Sequence, residues 1–314
     1  MTRALEIVRT GPLVTVQDLG RIGWAHLGVS RSGAADRAAL RRAGRLVGNA
    51  SGAAGLEVLV GGLEVRATGD LVVAVSGADC PLSLDGRAVP GESLLDLRAG
   101  SRLVLGTARH GLRAYLAVRG GVAVPPVLGS RSRDTLAALG PGPLRPGDVL
   151  PVGPTDGPDV AGPPTVDQLP VATPAPDEQP VVLRALVGPR ADRLEPAAAE
   201  RLWTQTWHVS PNSDRIGVRL DGAPLELAPG APDLPSEPLV RGAVQLPPGG
   251  RPVVFLADHP VTGGYPVVAA VLDADTDLLG QLGPGRAVRF RRASAADLGL
   301  PPFRPDLRCP WWGW

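Results

Sequence analysis

Three short segments hold the residue types that could do chemistry. The first, TVQDLGRIGWAHLGVSRSGAAD (residues 15–36), places Gln17, Asp18 and Arg21 among Gly20, Gly23 and Gly28. A carboxylate beside a guanidinium in a glycine-rich loop can orient a polar ligand, and the loop's backbone N–H groups can face an anion. The same spacing also makes a turn tied down by an Asp18–Arg21 ion pair. Ser32 and Asp36 stand just before a helical pattern, where Ser32 reads as an N-cap and Asp36 as a first-turn acid favoured by the helix dipole.

The second segment, DHPVTGGYP from Asp258 to Pro266, follows the apolar run PVVFLA. Gly263 and Gly264 at a strand end permit close backbone approach to a ligand. Thr262 and Tyr265 add hydroxyls, although a tight turn accounts for the same residues. Asp275 and Gln281 follow in AVLDADTDLLGQ and read as solvated helix residues. The third feature is the pair Glu57 and Glu237, each just before a Val/Leu run, with Gln245 eight residues after Glu237. A carboxylate at such a strand start either binds substrate or braces a turn. No Ser-His-Asp or Cys-His arrangement follows from spacing, and GxSxG is absent.

The elements that must position these residues are mostly strands. ALEIVRTG, GLEVLVGGLEVRA, DLVVAVSG, SRLVLGTA and RAYLAVRG are short Val/Leu-rich runs bounded by Gly, Pro or Asp, the pattern of a barrel or sandwich. Helical spacing of Ala35, Ala38, Ala39, Ala43, Leu46 and Val47 predicts one helix, stopped by Gly48. EPAAAERLWTQ predicts another, with Pro196 in its first turn. Residues 151–180 carry nine prolines and read as a linker between an N-terminal half (1–150) and a C-terminal half (181–314). Sliding the chain by 180 positions puts Glu57 on Glu237, Leu59 on Leu239, Gly62 on Gly242 and Gly69 on Gly249, which reads as a duplication.

Composition narrows the chemistry. The 314 residues are 44% hydrophobic but only 4% aromatic, so the core must be Val, Leu and Ala. The net charge of +1 shows no basic excess, which argues against a nucleic-acid partner. All 32 basic residues are Arg. Without Lys there is no P-loop, no Schiff-base lysine and no covalently carried biotin on this chain. The four His and two Cys (Cys80, Cys309) have no metal-ligand spacing, so no metal is expected. No apolar run approaches the ~18 residues of a membrane helix, the N-terminus lacks a signal-peptide core, and the expected location is the cytoplasm.

Taken in order, the motifs QDxGR, GVxxSGxxD and TGGYP, with LVGNASGAAGLE (46–57), YLAVRGGVAVPPVLGSRS (115–132), SDRIGVRL (213–220) and SEPLVRGAVQLP (236–247), resemble the allophanate hydrolase subunit 2 family. That family includes the C component of bacterial 5-oxoprolinase (PxpC), the KipA proteins and the carboxyltransferase portion of urea carboxylase. Two polar positions of its Gly-Gly-Tyr loop are Pro260 and Val261 here. The resemblance implies a mainly β fold of two tandem cyclophilin-like β-barrel halves. It implies two partners, the KipI-like B component and the A component of 5-oxoprolinase, completing an ATP-dependent enzyme that opens the small molecule 5-oxoproline to glutamate. The alternatives it leaves open are a KipA-type binding protein that antagonises a sensor-kinase inhibitor, and a carboxyltransferase fed by carboxybiotin from another chain. On this reading Asp18, Glu57 and Glu237 are catalytic. Gln17, Arg21, Ser32, Asp36, Gln245, Thr262, Gly263, Gly264 and Tyr265 bind substrate in a cleft between the halves.

Overall fold

The computed structural model describes residues 3–165, 179–230 and 234–299. In the N-terminal half the strands are β1 (Ala4–Arg9), β2 (Leu13–Gln17), β3 (Gly55–Leu59), β4 (Glu64–Ala67), β5 (Leu71–Asp79), β6 (Leu82–Leu84), β7 (Arg87–Val89), β8 (Leu94–Leu97), β9 (Arg102–Leu105), β10 (His110–Val118) and β11 (Val149–Pro151). They form two sheets, ordered β11-β1-β4-β9-β6-β7 and β2-β3-β10-β5-β8. Leu5, Ile7, Val65 and Leu103 of the first sheet pack on Val16, Leu56, Val58, Val73 and Leu116 of the second.

Both faces of β5 and β10 are covered, which is why apolar residues stand at successive positions along much of each strand. Ala114, Leu116 and Val118 face the opposite sheet, whereas Tyr115 and Ala117 face helix α1 (Arg37–Leu46). That helix lays Ala39, Leu40, Ala43 and Leu46 on the sheet, the i, i+3/i+4 stripe of an amphipathic helix. Gly48 ends it at φ +72°, where an added Cβ would lie 2.4 Å from the Gly162 carbonyl oxygen.

The C-terminal half contains β12 (Val181–Val187), α2 (Pro196–Thr204), β13 (Trp207–Val209), β14 (Gly217–Asp221), β15 (Glu237–Pro238), β16 (Ala243–Gln245), β17 (Val253–Phe255), β18 (Thr262–Gly263), β19 (Val267–Val271), α3 (Asp273–Leu279) and β20 (Ala287–Arg292). The order β12-β19-β16-β17-β14-β13-β20 closes through a parallel β12–β20 pair, which removes the exposed edges of an open sheet. Leu183, Trp207, Leu220, Val244, Val254, Val268 and Phe290 fill the interior. Alternate residues Val253, Phe255 and Val267 join Leu239 in a separate apolar layer. Beside that layer, β15 and β18 form a two-residue ribbon.

The fold is mainly β, with a two-sheet N-terminal half and a closed C-terminal barrel. The 180-residue shift carries β3, β4 and β5 onto β15, β16 and β17, but the pairing is not kept: β16 and β17 are neighbours, whereas β4 and β5 lie in different sheets. The first part of the proline-rich stretch is held by backbone bonds to the N-terminal half, Val152 to Arg3 (3.0 Å), Ala161 to Gly48 (2.9 Å) and Thr165 to Leu46 (3.0 Å). Residues 166–178, Cys309 and the RCPWWGW terminus lie outside the described residues.

Candidate functional site

The two halves meet across a plate of buried charge. Glu57 stands mid-strand in β3, with Thr15 of β2 and Tyr115 of β10 opposite it. Its Oε2 accepts from the Ala35 N–H (2.9 Å) and the Tyr115 hydroxyl (2.8 Å). Its Oε1 accepts from Arg215 of the barrel, with Arg113 Nε 3.5 Å away. Arg215 also donates to Asp258, from Nε to Oδ2 at 2.9 Å and from Nη2 to Oδ1 at 3.1 Å, and to the Gly33 carbonyl at 2.6 Å. Asp258 accepts in addition from the Ser32 hydroxyl (2.6 Å) and from the Thr135 N–H (2.9 Å) and hydroxyl (2.7 Å).

Two carboxylates and two guanidiniums therefore cancel, and every carboxylate oxygen has a donor. Burial pushes the Glu57 carboxyl up, but Arg215 and Arg113 outweigh it and hold the group below its ordinary value. Asp258 is likewise held down by Arg215, Ser32 and Thr135 against its burial. Arg215, fully enclosed, is raised because Glu57 and Asp258 more than offset its desolvation. Burial, then Glu57 and Asp36, push the Tyr115 phenol well above its usual value. Glu57 is thus a locked anion rather than a proton acceptor.

A second seam runs beside the first. Gln281, after α3, accepts from the Leu112 N–H (3.0 Å) and donates to Asp36 (2.7 Å). Asp36 is the N-cap of α1, accepting from the Ala39 N–H at 2.9 Å. Asp277 of α3 accepts from the Arg37 N–H (3.0 Å) and Ala38 N–H (3.2 Å), and Arg241 donates to the Ala35 carbonyl (2.8 Å). Burial pushes the Asp36 carboxyl up to about 6, against the Gln281 and Ala39 bonds that favour its charged form. Asp36 and not Ser32 caps the helix. Ser32 sits at φ +55°, and its hydroxyl is spent on Asp258. Asp275 and Gln281, expected to be solvated, are buried: Asp275 accepts from the backbone N–H (2.6 Å) and Nε (2.9 Å) of Arg184 in β12, and Gln281 reaches into the other half.

A cavity of about 520 Å³ opens between the halves. Glu57, Arg113 and Arg215 lie in its wall with Thr15, Thr135 and Ser213, and the remainder is largely apolar, including Leu13, Leu59, Val209 and Ile216.

The residues singled out in the sequence fall into separate groups. Asp18 is committed inside the N-terminal half. It accepts from the Gly20 N–H (2.7 Å), the Ser130 hydroxyl (2.7 Å), the Arg131 N–H (2.6 Å) and the Ser132 hydroxyl. Gln17 donates to the Arg133 carbonyl (2.9 Å), and buried Arg21 donates to the Ser132 carbonyl (2.5 Å) and lies 4.0 Å from Asp134. The ion partner of Arg21 is Asp134 rather than Asp18, because the loop of residues 127–134 fills the space between them. Ser32, Asp36 and Glu57 do reach the junction. Glu237 does not meet Glu57: it pairs with Arg190 at 2.9 Å, and its β15 backbone pairs with Gly263. Gln245 donates to the Tyr265 carbonyl (3.1 Å), while Thr262, Gly264 and the Tyr265 ring are exposed.

Arg215, Arg113, Tyr115 and Gln281 were not foreseen as site residues. Period-2 reading of RAYLAVRG would have flagged Arg113 and Tyr115, which share a strand face with Ala117 inside an apolar run. No local signal marks Arg215 or Gln281, since their partners are 158 and 168 residues away.

The sequence of residues 27–292 matches the family model for the carboxyltransferase domain, subdomain A and B. The chain belongs to the carboxyltransferase subdomain A and B family. The C component of 5-oxoprolinase from Escherichia coli is 39% identical over 298 residues, covering 93% of this chain and 92% of that protein. The urea amidolyase of Lachancea kluyveri is 32% identical over 91% of this chain, which spans only 17% of that larger protein. Among solved structures, K. lactis urea amidolyase superposes with a TM-score of 0.87 at 28% identity, over 94% of this chain and 19% of that one. In this carboxyltransferase family chain, no group of three or more His, Cys, Asp or Glu is arranged to hold a metal ion among the described residues, and no helix among them is long and apolar enough to cross a membrane.

Proposed function

We propose that the chain is the C component of an ATP-dependent 5-oxoprolinase, acting on 5-oxoproline together with the KipI-like B component and the A component. The observation that carries this reading is the end-to-end match to the E. coli C component, 93% of one chain against 92% of the other. The chain has no lysine, so it offers no P-loop for ATP and no attachment point for biotin. Any ATP must therefore bind through another motif or on a partner protein.

Within the chain, the junction of the halves is the place for substrate. There the loop of residues 31–37 meets the segment from Asp258 to Tyr265, joined by the Ser32–Asp258 bond. Glu57, Arg215 and Asp258 hold the two loops in register, while Gln245, Thr262, Gly263, Gly264 and Tyr265 supply polar groups nearby. Opening a lactam needs an anchored carboxylate and a water held on the carbonyl, both positioning tasks suited to a rigid seam.

A second reading, carboxyl transfer from carboxybiotin on another protein, draws support from the 0.87 TM-score to urea amidolyase. Mixing the purified chain with the A and B components, 5-oxoproline and ATP distinguishes the two. Glutamate is expected only when all three proteins and ATP are present. Glutamate production that ignores this chain would overturn the assignment.

A further inference from the structure

Arg37 is a buried cation with too few partners. It opens α1 and is only 5% exposed, yet its guanidinium makes no hydrogen bond among the described residues, and its Nε is a buried donor without an acceptor. Its one ion pair is with Asp273, at 3.5 Å. That carboxylate is already engaged by Arg241 at 2.7 Å and is 72% exposed. Arg31 and Arg241 are near enough to repel Arg37, and His259 is near enough to feel Arg37 and Arg241. Burial, then Arg241 and Arg31, pull the Arg37 guanidinium down to about 10. Burial, with Arg37 and Arg241, pulls down the His259 imidazole, whose Nδ1 lies 2.8 Å from the Pro260 carbonyl.

The helix N-terminus does not explain the arrangement, because its N–H groups are taken by Asp277 and Asp36. Three guanidiniums against Asp273 and Asp277 leave an excess of one positive charge beside a neutral imidazole. A buried cation whose one ion pair is long and shared, and whose Nε has no acceptor, is costly, and native structures seldom keep one without a use. The chemistry that relieves it is a planar anion with two acceptor oxygens, which matches a guanidinium fork bidentately.

We propose that Arg37, flanked by Arg31, Arg241 and His259, is the receptor for the carboxylate of a small organic acid, with the exposed Asp273 side chain as its internal stand-in. Resting on the functional reading above, the acid is 5-oxoproline, whose ring would then lie at the junction loops. The carboxylate enters, Asp273 swings to solvent, and the fork of Arg37 closes on the ligand.

Isothermal titration of the full chain with 5-oxoproline, acetate and inorganic phosphate tests this. Both carboxylates are expected to bind competitively, and phosphate is expected not to displace them. Arg37→Gln is expected to weaken both by roughly tenfold or more. Asp273→Asn is expected to tighten both, a change that a merely structural Asp273 would not produce. Should Arg37→Gln fail to fold, the competition in the wild type and the gain in Asp273→Asn still decide. Arg37-dependent acetate binding without 5-oxoproline binding would uphold the carboxylate receptor while removing 5-oxoproline as its ligand. The proposal is overturned if neither carboxylate binds, if folded Arg37→Gln binds them as tightly, or if phosphate displaces both.

Discussion

The side-chain amide of Gln281 brackets the backbone of Arg113: its Oε1 accepts the Arg113 N–H at 2.9 Å and its Nε2 donates to the Arg113 carbonyl at 2.9 Å. The pairing of β10 with β5 slips between His110 and Ala114, leaving this stretch without a strand neighbour on that side. A residue from the barrel thus completes a ladder in the other half. Gln281→Leu would leave the Leu112 and Arg113 backbone groups buried and unpaired. A loss of about 3 kcal/mol is expected in urea denaturation, from several groups at ~1–3 kcal/mol each with partial rescue by water.

Arg215 is the most exacting residue of the junction. Arg215→Met strands Glu57 and Asp258 as buried anions, and a loss of about 3–5 kcal/mol follows. The double variant Arg215→Met/Glu57→Gln should be less destabilised than the sum of its single changes, because the stranded charge is then gone. Additive costs in chemical denaturation would show that the two side chains act independently.

Asp36 gives the stability a pH signature. Its folded-state pKa is raised to about 6, with Asp277 adding to the effect of burial while Gln281, Ala39 and Arg42 oppose it. A raised pKa means that its contribution is fully present below the unfolded value near 4 and is lost as pH rises through about 6. Wild type should therefore lose about 3 kcal/mol from this group between pH 4 and 7. Asp36→Asn should not, so the stability gap between the two proteins should shift in favour of the variant as pH rises. Glu57 and Asp258, held below their ordinary values, act in the opposite sense, and their stabilisation is lost only in more acidic solution. Parallel denaturation curves at pH 4 and 7 measure this difference.

Glu237 and Glu57 were read as equivalents from sequence and should behave differently. Glu237 is paired with Arg190 near the surface, where solvent screens the pair, and Glu237→Ala should cost little. Glu57→Ala removes the acceptor of Tyr115, Ala35 and Arg215, and should cost several times more. Equal melting shifts for the two variants would contradict the placement of Glu57 as the keystone.

The strands and the helices α1 and α2 were legible because period-2 and i, i+3/i+4 patterns are local. Short Val/Leu runs with frequent turns fitted a barrel or a sandwich alike, and the barrel halves were implied by the family resemblance rather than by the runs. What the sequence hid was pairing between distant residues. Glu57 could be singled out as a carboxylate before an apolar run, but not its union with Arg215. Asp18 and Arg21 looked like one site because they stand three positions apart, yet each is consumed by the loop of residues 127–134. Asp275 and Gln281 looked solvated because polar residues in and after a short helix usually are, whereas Asp275 is taken by Arg184 of β12 and Gln281 by the Arg113 backbone of the other half.

The central claim is that this chain serves a 5-oxoprolinase rather than a biotin-fed carboxylation. The most direct measurement gives the mixture of all three proteins 5-oxoproline and ATP in one vessel, and urea with a carboxybiotin donor in another. Glutamate formed in step with ADP is expected in the first vessel, and no carboxylated urea in the second. Carboxylated urea without glutamate would contradict the claim.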